Sequence, residues 1–269
     1  MKDPETQLFP KKQNGRLRRG VHLVPAALTT FNLGCGFYAI HATLLGGTIN
    51  FDKAAIAIGL AVLFDTLDGR IARATGTNSE FGKQFDSLAD VISFGIAPGI
   101  LAYAWGVRSI NVAQPAIMHN LQPLGLLICF AFVACCAWRL ARFNIQGMAP
   151  DTRYFVGMPA PAAAAMVAAS VHALKFPLEG WRDSLLWLAL MAALAALMAS
   201  TVRYFSGKEL AWTRRQPSLV VVALALLGWS VVEYSEQVLL FCASFYATSG
   251  LALALVRGLR HRLASQPSA

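Results

Sequence analysis

Long apolar runs constrain this chain more than any other feature. They cover about residues 21–46, 53–75, 81–107, 121–144, 158–174, 184–202, 217–232 and 237–256. A helix needs roughly 20 mostly apolar residues to cross the hydrocarbon layer of a bilayer. A helix is also one of the few structures that satisfies its own backbone groups there. The expected fold class is therefore all-α, a polytopic transmembrane helical bundle of about eight spans. Composition agrees, because 56% of the residues are hydrophobic and 14% charged, against about 25% charged in soluble domains. The links between runs are short, so one transmembrane domain is expected over 21–258. A basic tail precedes it at 1–20 and a short tail follows at 259–269. The polar, basic start offers no apolar stretch ahead of the first run, and no cleavable signal peptide is expected.

The net charge of +9 raises the possibility of a nucleic-acid partner, but the placement of the charges explains it otherwise. With the N-terminus in the cytoplasm, one side collects Lys2, Lys11, Lys12, Arg16, Arg18 and Arg19 from the tail, and Arg70, Arg73 and Lys83 from the second link. Arg139, Arg142, Arg153, Arg203, Lys208, Arg214, Arg215, Arg257, Arg260 and Arg262 fall on the same side. The other side holds only Lys53, Arg108, Lys175 and Arg182. That is the positive-inside distribution of an even number of spans. It puts both termini in the cytoplasm and requires no nucleic acid. The five cysteines lack metal-ligand spacing and read as small buried residues. The five histidines are scattered. The tryptophans lie mostly toward run ends, where interfacial anchoring accounts for them.

Acidic residues carry the chemistry. Of 14 in the chain, four fall within 26 positions: Asp65, Asp68, Asp86 and Asp90. A carboxylate at the centre of a membrane helix costs about 2.5–3.5 kcal/mol on insertion scales, so four together imply a use. Asp65 and Asp68 are three apart, and Asp86 and Asp90 four apart, so each pair shares a helical face. The short turn between their helices makes those helices antiparallel neighbours, and the two faces can converge. Two divalent cations would balance the four charges, and carboxylate oxygens suit hard ions such as Mg²⁺ or Mn²⁺. A pair of such ions can hold a diphosphate and stabilise both attacking and leaving oxygens. Gly69 and Gly82 remove side chains where a headgroup would approach, and Arg73 offers a fork to phosphate. The plainer alternative is a set of surface charges neutralised by Arg70, Arg73 and Lys83. It suits any one aspartate better than all four at these spacings.

The sequence Asp65-x-x-Asp68-Gly69-x-x-Ala72-Arg73, eight residues, then Gly82-x-x-x-Asp86-x-x-x-Asp90 resembles the full signature of the CDP-alcohol phosphatidyltransferases, with no departure. The resemblance implies a helical membrane enzyme that binds two metal ions and the CDP part of a CDP-alcohol. Asp65, Asp68 and Asp86 match the ligands of one metal; Asp65, Asp86 and Asp90 match those of the second. Asp90 also matches the catalytic base. Gly69, Arg73 and Ser79 match positions that contact the CDP-lipid, as does the stretch Thr29, Thr30, Phe31 and Asn32. Further blocks (LTTFNLGCGFYAI, FGKQFDSLADVISFGIAPG, WRLARFN, FVGMPAPAAAA and ASTVRYFSGKE) resemble the membrane-embedded, bacterial branch that makes phosphatidylserine. That branch implies CDP-diacylglycerol and L-serine as substrates and CMP as product. It also implies a cytoplasm-facing site in the inner membrane and a homodimer.

The acceptor's carboxylate calls for a cation. Arg142, with Asn144 close by, is the candidate serine site, although both also suit a positive-inside anchor. Two other readings compete. A sibling transferase would share the metal chemistry but take glycerol phosphate, inositol phosphate or choline. A cation-coupled transporter would need two similar halves with broken helices, and no such symmetry is visible. A scaffold protein would leave the aspartates without a use.

Overall fold

The computed structural model describes residues 15–76, 79–109, 115–146, 154–205 and 233–264. Helix α1 (Gly15–Leu45) and helix α2 (Thr48–Thr75) form an antiparallel pair. Gly46 and Gly47 join them at φ of 68° and 81°, a conformation that glycine adopts without a Cβ penalty. Gly76 ends α2 in the left-handed region and bonds back to the Ala72 carbonyl, a usual helix stop. Helix α3 (Glu80–Asp90) starts at Ser79, whose hydroxyl accepts from the Gly82 amide. It runs without a break through a π-turn (Val91–Ile96), helix α4 (Ala97–Tyr103) and a second π-turn (Ala104–Arg108). Helices α5 (Pro115–Gln146), α6 (Ala160–Leu174), α7 (Trp181–Ala199) and α8 (Ser235–Ala264) complete the bundle. The expected run at 217–232 lies outside the described residues. One feature departs from a purely helical fold. Strands β1 (Tyr154–Val156) and β2 (Arg203–Phe205) pair antiparallel between the ends of the helices.

Small residues are prominent at the helix contacts, and many large apolar side chains face outward. Small residues fill the α1–α2 contact (Ala39, Ala42, Ala54, Ala57, Ala61) and line α6 (Ala160, Ala163, Ala164). Large apolar side chains such as Phe37, Leu44, Leu127, Phe130, Leu186 and Phe241 point outward. Lipid does not penalise exposed leucine, whereas small residues let helices approach closely. Among the described residues, three helical segments are long and apolar enough to span a membrane: Glu80–Arg108, His119–Ile145 and Trp181–Ala199. Ala160–Leu174 is a shorter apolar helix. In α2, Asp65, Asp68 and Arg70 make the last third polar.

The tryptophans divide. Trp138 and Trp181 are exposed, as anchors should be, but Trp105 and Trp187 are buried. Their rings meet edge to face at 5.0 Å, and the Trp187 indole donates to the Ala102 carbonyl at 3.0 Å. Those two are core residues, because aromatic packing plus a satisfied N–H outweighs the interface preference.

Candidate active site

Three helices converge where α2 ends and α3 begins. Asp65, Asp68 and Asp86 each present a carboxylate oxygen, and these oxygens lie within 4.8 Å of one another. Helical spacing puts Asp65 and Asp68 on one side of α2, and α3, which packs against α1, brings Asp86 to them. The convergence of these three carboxylates agrees with the spacing. Asp68 is 4% exposed and accepts from the Thr29 hydroxyl at 3.0 Å. One oxygen of Asp86 is buried with no hydrogen-bond partner. A buried carboxylate oxygen without a donor is costly, and a hard cation would satisfy it. The donor set therefore suits a divalent metal, since it is all oxygen, anionic and clustered.

Asp90 stands one turn further along α3, outside that cluster of three. It is buried, and its Oδ1 accepts from the Asn32 side-chain amide at 3.1 Å. The Ser93 hydroxyl donates to the Asn32 main-chain carbonyl at 3.0 Å, so the first π-turn is tied to α1. The π-turn starts directly after Asp90, and such bulges often occur at functional positions.

The stretch from Thr29 to Asn32 splits by helical phase. Thr29 and Asn32, three apart, face the aspartates. Thr30 and Phe31 are exposed and line a groove between α1 and α2 with Gly34, Tyr38, Ile56 and Leu60. Phe31 stacks on Phe64 with centroids 5.7 Å apart. Gly69 follows Asp68 on α2, and Ser79 caps α3. The side chain of Arg73 lies outside the described residues.

On α5, Arg142 donates to the carbonyls of Val156, Ala199 and Ser200 at 3.1–3.2 Å, fastening both strand-bearing connections. Asn144 donates to Ser87 of α3 at 2.8 Å, and its own carbonyl accepts from Lys83. These contacts bring the end of α5 to the aspartate helix. Arg139, one turn earlier, is 8% exposed, and its Nε is buried without a partner. The sequence places Arg139 and Arg142 alike at the end of a span; burial and bonding distinguish them.

The family model for CDP-alcohol phosphatidyltransferase matches residues 22–202, which include every residue named in this section. The chain belongs to the CDP-alcohol phosphatidyltransferase family. Similar proteins include a CDP-diacylglycerol–serine O-phosphatidyltransferase of Helicobacter pylori, 35% identical over 77% of this chain and 82% of that protein. A protein of the same name from Mycobacterium leprae is 33% identical over 81% of this chain and 70% of its own length. An archaetidylserine synthase of Methanothermobacter thermautotrophicus is 37% identical over 67% and 69%.

Proposed function

We propose that this protein is a phosphatidylserine synthase, transferring the phosphatidyl group of CDP-diacylglycerol to the hydroxyl of L-serine with release of CMP. The observation that carries the transferase chemistry is the convergence of the Asp65, Asp68 and Asp86 oxygens within 4.8 Å, with Asp90 beside them. Serine as acceptor is supported by the printed names of the relatives. Asp65, Asp68, Asp86 and Asp90 would hold two divalent cations, Mg²⁺ or Mn²⁺. Bound cations supply neutralisation of the diphosphate and stabilisation of the departing phosphate oxygens.

The chain's own residues do the rest. Thr29 orients Asp68 through its hydroxyl. Asn32 fixes Asp90 through Oδ1, which leaves Oδ2 to receive the proton of the serine hydroxyl. The serine oxygen then attacks the phosphorus that carries diacylglycerol, and the bond from that phosphorus to the CMP oxygen breaks. Gly69, Arg73 and Ser79 border the nucleotide. Thr29 and Asn32 bound the phosphate side of the lipid, while Thr30 and Phe31 line the groove toward its tails. Arg142 and Asn144 form the acceptor end. The site faces the cytoplasm of a multi-pass inner-membrane protein with eight spans and both termini inside, and the chain works as a homodimer.

The test offers labelled CDP-diacylglycerol with serine, glycerol 3-phosphate, inositol phosphate or choline to detergent-purified protein. Serine alone is expected to release CMP at an appreciable rate, and a preference for another alcohol would reassign the acceptor. Chelation is expected to stop the reaction, and Mg²⁺ or Mn²⁺ to restore it. Asp90→Asn is expected to abolish turnover, a loss of at least about 100-fold for a general base, while metal-dependent CDP-lipid binding persists. Near-normal turnover in that variant would remove Asp90 from the role of base.

A further inference from the structure

A guanidinium held almost out of solvent needs partners for its donors, because each buried donor without one costs about 1–3 kcal/mol. Arg139 leaves such a donor: it is 8% exposed, and its Nε has no partner. Among the described residues, the ionisable groups near it are Asp90 of α3, Cys136 and Arg142 of its own helix, and Tyr246 of α8. Asp90 is the residue to which the acceptor hydroxyl is assigned above. In serine that hydroxyl and the carboxylate are separated by only two carbons, so an acceptor bound at Asp90 carries its carboxylate into the same neighbourhood. Around Asp90 itself stand Asp65, Asp86 and Asp68, which repel a carboxylate. Arg142 is the less available cation, since its terminal nitrogens already serve three main-chain carbonyls.

We infer that Arg139 is the specificity-determining residue of the acceptor site, and that its guanidinium receives the α-carboxylate of the incoming amino acid. This rests on the serine reading of the same site. Arg142 then acts behind it, holding the connections β1 and β2 in place, and the pair divides the work of recognition and support. An acceptor without a carboxylate gains nothing from Arg139 and leaves its donor unpaired, which is how such a site excludes simple amino alcohols.

The test compares L-serine with serinol, in which a hydroxymethyl group replaces the carboxylate. Wild-type protein is expected to favour serine over serinol by about 100-fold or more in kcat/KM. Equal use of the two by the wild type would overturn the proposal without any mutant. Arg139→Gln is expected to lower serine kcat/KM by about 100-fold, mostly through KM, with serinol within about threefold of wild type. An unchanged serine-to-serinol ratio would make Arg139 a plain counter-ion to the aspartates. Should Arg139→Gln lose both alcohols together, Arg139→Lys decides, because it keeps the charge and loses the fork. A ratio reduced about tenfold supports carboxylate recognition, and an unaltered ratio refutes it. A wild type that transfers to another alcohol but never to serine would instead sink the synthase reading, so the two failures are distinguishable.

Discussion

Thr29 shows how much of this site depends on single side chains outside the acidic motif. Its hydroxyl is the donor that fixes Asp68 from a neighbouring helix. Removing a partner that orients a metal ligand commonly costs 10–100-fold in metal affinity. Thr29→Val is therefore expected to raise the Mg²⁺ or Mn²⁺ concentration for half-maximal activity by about 10–100-fold, with little change in the serine KM at saturating metal. A metal titration of CMP release reads this. Arg142→Leu belongs to the same scale. It removes three bonds to carbonyls and is expected both to raise the serine KM more than the CDP-lipid KM and to lower thermal stability. The four aspartates were legible in the sequence because acids are rare in apolar runs and their spacing fixes their face. The roles of Arg139 and Arg142 were not legible. Three residues apart at the end of one helix, they differ only in what neighbouring helices bring to them.

Between elements, one close approach and one polar relay set the geometry. A Cβ on Gly36 would stand 2.5 Å from the Ser93 hydroxyl and 2.9 Å from its Cα, so α1 meets the first π-turn backbone to backbone. Gly36→Leu would force them apart and is expected to cost about 1–3 kcal/mol. It would also break the Ser93–Asn32 bond and move Asn32 off Asp90. Thermal unfolding in detergent and turnover should fall together. At the far ends of α2, α6 and α8, His172 bonds to Asp52 at 2.5 Å and to Ser235 at 3.0 Å, joining all three helices. Scattered histidines gave no hint of this in the sequence, since the partners are 120 and 63 residues away. His172→Phe is expected to destabilise the bundle by about 1–3 kcal/mol with serine and CDP-lipid KM unchanged. Nearby, Lys175 pairs with Glu236, which raises the lysine pKa and lowers that of the glutamate. The glutamate's share of stability is present above its unfolded pKa and lost as pH falls through the folded one. The lysine's share is lost as pH rises through its raised value. Both groups are exposed, so the effect is small.

For the molecule as a whole, the outward apolar surface and the one-sided charge distribution point the same way. Alanines at the helix contacts and large apolar side chains on the outer surface suit a lipid solvent, and basic links on the aspartate side favour that side in the cytoplasm. In a cysteine-free background, Phe176→Cys is expected to react with an impermeant maleimide in intact cells and Glu80→Cys only after lysis. The reverse labelling would invert the orientation. The sequence by itself determined the helical membrane class, the family and the acids that cluster, because hydropathy and helical spacing are local properties of a chain. Only the tertiary structure decided which oxygens converge, that Asp90 is held apart on Asn32, that two tryptophans belong to the core, and that Arg139 keeps an unpaired donor. Each of those depends on contacts between residues far apart in sequence, and such contacts exist only once the helices have packed.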